Sequence, residues 1–214
     1  MKITYEIRFK LKRSDLKKAL NFLSQNRKLL RTSLLTGINT LNFDLPAGLT
    51  CPKALGCLKY CYASKGAFKY PRVINKFARN FEATKKKNFV ELMDHEIKYK
   101  GAGAVRVHSS GDFYNKTYLN KWIEICKLNK KVIFYAYSKS LHLFKNVNGT
   151  NKKLPKNLII IYSYGGKLDK LINVKKDRHA IVYKGEIPKN YAYANENDHI
   201  AIGKNKKIAL KMHA

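Results

Sequence analysis

Apolar and polar residues alternate across residues 1–13. Ile3, Tyr5, Ile7, Phe9 and Leu11 fall on one side, which is the period of a half-buried strand. Ser14 can cap a following helix whose apolar positions Leu16, Ala19, Leu20 and Leu23 recur at helical spacing. Residues 38–45, INTLNFDL, predict a strand with Ile38, Leu41, Phe43 and Leu45 inside, and Pro46-Ala47-Gly48 ends it. Pro71 opens a long helical stretch in which Val73, Phe77 and Phe81 form one row. Phe89, Leu92, Met93 and Ile97 continue its apolar face after a Lys-rich interruption, and Gly101 and Gly103 stop it. Further strands are predicted at 104–108, 132–137, 158–164 and 179–184. Between them Tyr118, Leu119, Trp122, Ile123 and Ile125 mark a helix, and shorter helices fit 140–146 and 167–172. The last thirty residues read as short strands and turns.

From residue 38 to 184 the unit strand–loop–helix recurs about five times, which predicts a mainly parallel sheet with helices outside it. The expected fold is α/β, a partial (β/α) barrel of about five or six units, too few to close an eight-unit barrel. A single domain over 1–214 is expected: an N-terminal strand and basic helix (1–37), the partial barrel (38–184), and C-terminal strands and turns (185–214). Ligands in such sheets bind at the C-terminal ends of the strands.

Charge narrows the partners. The 214 residues carry a formal net charge of +30, and only eight of the 44 basic residues are Arg. Such a chain attracts polyanions, so DNA or RNA on a Lys-rich surface is one expected partner. Few Arg argues against a dedicated base reader, because Arg supplies the bidentate contacts to guanine. The hydrophobic fraction of 45 % is too high for a disordered basic tail. No stretch reaches the ~18 apolar residues of a membrane span, and the first residues lack the apolar core of a signal peptide. No membrane association is expected, and a cytoplasmic location is.

Cysteine usage carries the strongest chemical signal. Cys51, Cys57 and Cys61 lie within eleven residues, in TCPKALGCLKYCYA, and Cys126 is alone. Disulfides do not account for three thiols in one short loop of a reducing compartment. The spacing C-x5-C-x3-C has no second pair and no downstream His pair of the zinc-finger kind. A [4Fe-4S] cluster on these three cysteines fits better. Cys126, beside Trp122, Ile123 and Ile125, is expected in the core. His95, His142, His179, His199 and His213 have no partner readable from the sequence.

Three strand exits are polar. They are His108-Ser109-Ser110-Gly111-Asp112, then Tyr137-Ser138-Lys139-Ser140, then Ser163-Tyr164-Gly165-Gly166. A cysteine loop after one strand and an acidic turn after the next resembles the radical S-adenosylmethionine architecture. The stretches TCP…C…CYA (50–63), VHSSGDF (107–113) and YAYSKS (135–140), with the lead-in 39–48, resemble more closely a phage family known as gene product 88-like. The likeness covers roughly residues 38–165.

The radical-enzyme resemblance implies S-adenosylmethionine on the cluster. It places that cofactor near Tyr62, Ser109, Ser110, Gly111, Asp112, Ser138 and Ser163, with Lys139, Tyr137 and His108 towards a substrate, and it requires an electron donor. Two departures weaken cofactor cleavage: the common loop is C-x3-C-x2-C, and the cofactor-binding acid is Glu where this chain has Asp112. Two alternatives stay open, a nucleic-acid-binding protein with a structural cluster and an iron–sulfur nuclease or redox enzyme that does not use S-adenosylmethionine.

Overall fold

The computed structural model describes residues 21–145 and 154–212. The strand expected over 1–13, the start of the helix expected from Ser14, and His213 lie outside the described residues. Leu23, assigned from its spacing to that helix, is instead in a strand, β1 (Leu23–Ser24), antiparallel to β2 (Thr40–Phe43). Between them runs α1 (Arg27–Thr36), which the periodicity did not reveal. Its ends are chemically marked: the Asn26 side chain accepts from Leu29 N at 2.9 Å, and Gly37 closes it at φ +68°.

From β2 onward the chain builds parallel strands in chain order: β3 (Ala104–Val107), β4 (Ile133–Ser138), β5 (Leu158–Ser163) and β6 (His179–Tyr183). The final strands, β7 (Ala192–Tyr193) and β8 (Lys207–Lys211), join the same sheet. β8 lies between β6 and β7 and is parallel to both. The fold is therefore α/β, and the described residues form an open eight-stranded, mostly parallel sheet in the order β1-β2-β3-β4-β5-β6-β8-β7.

The expected long helix is two helices, α2 (Pro71–Lys85) and α3 (Phe89–Tyr99). Pro71 occupies the first turn of α2, where its missing N–H costs nothing. At Lys86 the backbone is extended (φ −71°, ψ 149°), so the Lys-rich interruption is a real break. Helix α4 (Lys116–Leu128) follows β3, capped by Asn115, whose side chain accepts from Tyr118 N at 2.8 Å. The helices expected near 140–146 and 167–172 are single 3-10 turns, Leu141–Leu143 and Asp169–Leu171. Cys126 is buried in α4, as its neighbours indicated.

Strand alternation divides the interior in two. Leu41, Phe43, Val105, Val107, Phe134 and Ala136 face the helices and pack around Trp122, Phe89 and Met93. The alternate residues, including Asn42, Arg106 and Tyr135, face the other way. Farther along that face a smaller apolar cluster contains Tyr135, Ile161, Ala180 and Ile208. Helix α1 and the 3-10 turn Asp198–Ile202 meet near this face, where Thr32 Oγ1 accepts from Asp198 N at 2.9 Å. Among the described residues no helix is long and apolar enough to cross a membrane.

Candidate functional site

Parallel strands deliver all their exits to one rim, and here two buried carboxylates tie those exits together. Asp44, just past β2, accepts from the backbone N–H groups of Ser109 (2.6 Å) and Ser110 (3.0 Å). Asn42 Nδ2 donates to the other Asp44 oxygen. Asp112, past β3, accepts from Ser138 Oγ (2.7 Å), Lys139 N (2.8 Å) and Phe113 N (2.7 Å). Asp44 thus joins the β2 and β3 exits, and Asp112 joins those of β3 and β4. Burial pushes both carboxyls above their ordinary range, against the donors that hold them down.

Gly111 makes this crossing possible. Its φ of +89° is left-handed, and a Cβ there would stand 2.6 Å from Thr50 Oγ1 and 2.7 Å from Leu45 Cβ. His108 also has a positive φ, +75°, which is uncommon for a residue with a side chain and frequent at functional positions. Its Nε2 lies 2.8 Å from the Tyr118 hydroxyl. Burial first, and the Arg106 charge second, lower its pKa to about 3, so the imidazole is neutral.

The cysteine loop reaches across the rim from β2 to the exit of β5. Leu55 N and Cys57 N both donate to the Gly165 carbonyl at 3.2 Å, and Lys167 N donates to Lys53 O at 2.8 Å. Asp169 holds the receiving turn, accepting from Gly165 N (2.8 Å) and Gly166 N (2.9 Å). At Gly166 a Cβ would come within 2.9 Å of Lys53 O, so close backbone approach is what the Gly-Gly exit provides. On the other flank the Tyr62 hydroxyl donates to the Ser109 carbonyl.

This clamp encloses a cavity of about 430 Å³. Cys51, Cys57 and Cys61 all line it, with Tyr62 beside them. His108, Ser109, Ser110, Gly111 and Asp112 form a second wall, and Tyr137, Lys139 and Ser163 a third. Ser138 is the one sequence-selected residue that stands behind the wall, bonded to Asp112. Lys139 Nζ donates to Ser163 Oγ at 2.7 Å, linking the β4 and β5 exits. Asp112, expected to face a ligand, has both oxygens engaged by protein donors, and the cap of α4 is Asn115. Asp112 is thus a tie between strands.

Other cavity residues were missed. Arg106 is the charge inside the apolar strand AVRV, a signal visible in the sequence. It is 8 % exposed and its Nη1 meets Asp198 Oδ2 at 3.1 Å. Lys28, in the first turn of α1, pairs with Asp198 Oδ1 at 2.6 Å, and Tyr135 donates to Asp198 Oδ2 at 2.7 Å. Burial alone would raise the Asp198 carboxyl, but Arg106 and Lys28 outweigh it and hold it below the ordinary value. Asn26 also lines the cavity, its Nδ2 donating to Ser109 Oγ at 3.4 Å. Nothing in the local sequence around Asn26 or Asp198 points to these roles.

The donor set suits a soft cation. Burial, then the nearby Asp112, Cys61 and Cys57, push the Cys51 thiol up to about 11 despite a hydrogen bond with Gly48. A positive centre among the thiols would reverse that penalty. Among the described residues no three His, Cys, Asp or Glu side chains converge as a metal-ligand set.

Fold and site together define an open parallel α/β protein with a thiol loop mounted over a cavity at the strand exits. The chain belongs to the gene product 88 family, whose profile matches residues 14–213. The Gene 88 protein of Mycobacterium phage L5 is 28 % identical over 143 residues, 61 % of this chain and 59 % of that protein. The Gene 88 protein of Mycobacterium phage D29 is 28 % identical over 142 residues, 60 % of this chain and 58 % of that one. The alignments thus span less than two thirds of these relatives' length. No solved structure matches the chain.

Proposed function

We propose that the protein is an iron–sulfur protein, with one [4Fe-4S] cluster held by Cys51, Cys57 and Cys61 and a small-molecule pocket beside it. One observation carries the reading: three thiols on a single loop, clamped by the Gly165 carbonyl, line the same cavity as the 108–112 turn. A cubane binds each thiolate to a different iron, so its ligands stand farther apart than those of a single ion. The thiols' failure to converge on one point is compatible with that. A cluster supplies electron transfer and, with S-adenosylmethionine bound, radical initiation.

The sequential parallel strands β2 to β6 support a partial-barrel, radical-enzyme-like arrangement in which Ser109, Tyr62 and Ser163 border S-adenosylmethionine. In that arrangement Lys139, Tyr137 and His108 face substrate. The charge of +30 favours a second property, non-specific binding of DNA or RNA that weakens steeply with salt.

Anaerobic reconstitution tests the cluster. About four irons per chain and a brown colour are expected. Cys57→Ala should lose both and Cys126→Ala neither. Stoichiometric zinc without sulfide in native protein overturns the reading. Adding S-adenosylmethionine and a strong reductant then separates the enzyme from a structural or redox cluster: only the enzyme releases 5′-deoxyadenosine.

A further inference from the structure

We propose that the wall formed by Arg106, Tyr137 and the first turn of α1 is a binding site for an oxyanion, the phosphate or carboxylate handle of a small-molecule ligand. Three residues that line the cavity each carry a buried polar atom with no hydrogen-bond partner among the described residues: Arg106 Nε, the Tyr137 hydroxyl and His108 Nδ1. Folded proteins leave few such groups, because each costs about 1–3 kcal/mol. Three around one cavity point to a partner that the described residues do not supply. Arg106 and His108 are 8 % and 2 % exposed, so bulk water is a poor substitute.

The open atoms also state the ligand's polarity. Arg106 Nε carries a hydrogen and can only donate, and a buried tyrosine hydroxyl donates readily. The guanidinium carbon lies 4.9 Å from the centroid of the Tyr137 ring, which fixes the two groups against each other. Around them the cavity is lined by Arg27, Lys28, Lys139 and Lys211. Its one lining carboxylate, Asp112, is taken up by three protein donors. Asp198 behind the wall balances one of Arg106 and Lys28, and a net positive charge is left over. The positive end of α1 begins at the same place. An acceptor-rich anion satisfies the Arg106 and Tyr137 donors and this charge at once. The cavity, about 430 Å³, has room for more than the anion. The oxyanion is therefore the anchor of a larger molecule.

This inference rests on Arg106, His108 and Tyr137 and not on the thiols, so iron content and anion binding are measured separately and either can fail without the other. The test is a titration of the full chain with inorganic phosphate and, in parallel, acetate at fixed ionic strength, read from backbone amide shifts. Saturable shifts are expected at Arg106, His108 and Tyr137. Arg106→Lys keeps a cation against Asp198 but loses the fork, and should weaken binding about tenfold or more. Tyr137→Phe, which removes one hydroxyl and leaves the packing, should weaken it about three- to tenfold. Lys175→Gln, on a remote exposed turn, should change nothing. The tighter of the two probes identifies the handle as phosphate or carboxylate. Shifts that spread over the Lys-rich surface without saturating overturn the proposal, as does binding indifferent to both cavity variants.

Discussion

The two faces of strands β2 to β4 differ by a single residue of register and do opposite work. On the helix side, Trp122 is fully buried and sits edge-on to Phe43 at 5.4 Å, Phe89 at 6.1 Å and Phe134 at 6.3 Å. That face is apolar apart from the indole Nε1 of Trp122, a single buried nitrogen with no hydrogen-bond partner among the described residues. On the other side, Arg106 and Tyr135 meet Asp198, while the Tyr137 hydroxyl and Arg106 Nε are left open. That face is equally buried and electrostatically incomplete. Alternate positions of the same strands thus separate what holds the fold from what is available to a ligand. A protein can carry unsatisfied polar groups on one face only if the other supplies enough stability to tolerate them.

The largest effect should come from breaking the apolar face. Trp122→Ala removes the centre of the aromatic cluster and should cost about 3–5 kcal/mol in denaturant unfolding. A loss below about 1 kcal/mol would mean that the helices, not the ring cluster, carry the stability.

Next comes the hinge between the faces, His108. Its folded pKa of about 3 lies below the unfolded value of 6.5. The native state therefore binds fewer protons between those pH values, and stability falls as pH falls through that window. Relative to His108→Asn, which tolerates the positive φ and does not titrate there, the wild type should lose about 3 kcal/mol between pH 7 and pH 4. Parallel stability curves for the two proteins would show that the imidazole is not held neutral.

Asp112 tests whether the polar rim is structural. Asp112→Asn can satisfy only one of the two sets of donors, because its amide nitrogen would face Lys139 N or Ser138 Oγ. It should destabilise the fold by about 1–3 kcal/mol. Unchanged stability would instead leave the carboxylate free for a ligand.

The sequence made the rim legible and left the face behind it hidden, for a physical reason. Cys51, Cys57, Cys61, His108–Asp112 and Lys139 could be grouped because parallel strands in chain order must place their exits together. Only alternation and loop composition were needed. The polar network has no such shortcut. Arg106 and Asp198 are 92 residues apart, and their pairing depends on β8 entering between β6 and β7, which no local pattern encodes. The missed helix α1 shows the same limit. Its exposed Leu30, Leu34 and Leu35 blur the apolar stripe, so its start was written only in the Asn26 cap and its end in Gly37. The break at Lys86 was visible as a lysine run but carried no angle.

The smallest expected effect is the most discriminating, because it has an unusual sign. Tyr137 presents its ring to Arg106 and buries a hydroxyl with no partner among the described residues. Deleting that oxygen keeps the aromatic face and removes an unpaired polar group, so Tyr137→Phe should raise the stability of the ligand-free protein by roughly 0.5–1 kcal/mol. On the helix face no comparable trimming should help, since every removed atom there leaves a void. The same substitution should weaken phosphate or acetate binding, giving opposite signs for stability and affinity. A variant that loses stability would show that the hydroxyl already has a partner in the free protein. The polar face would then be complete in itself, and the contrast between the two faces would be one of chemistry alone.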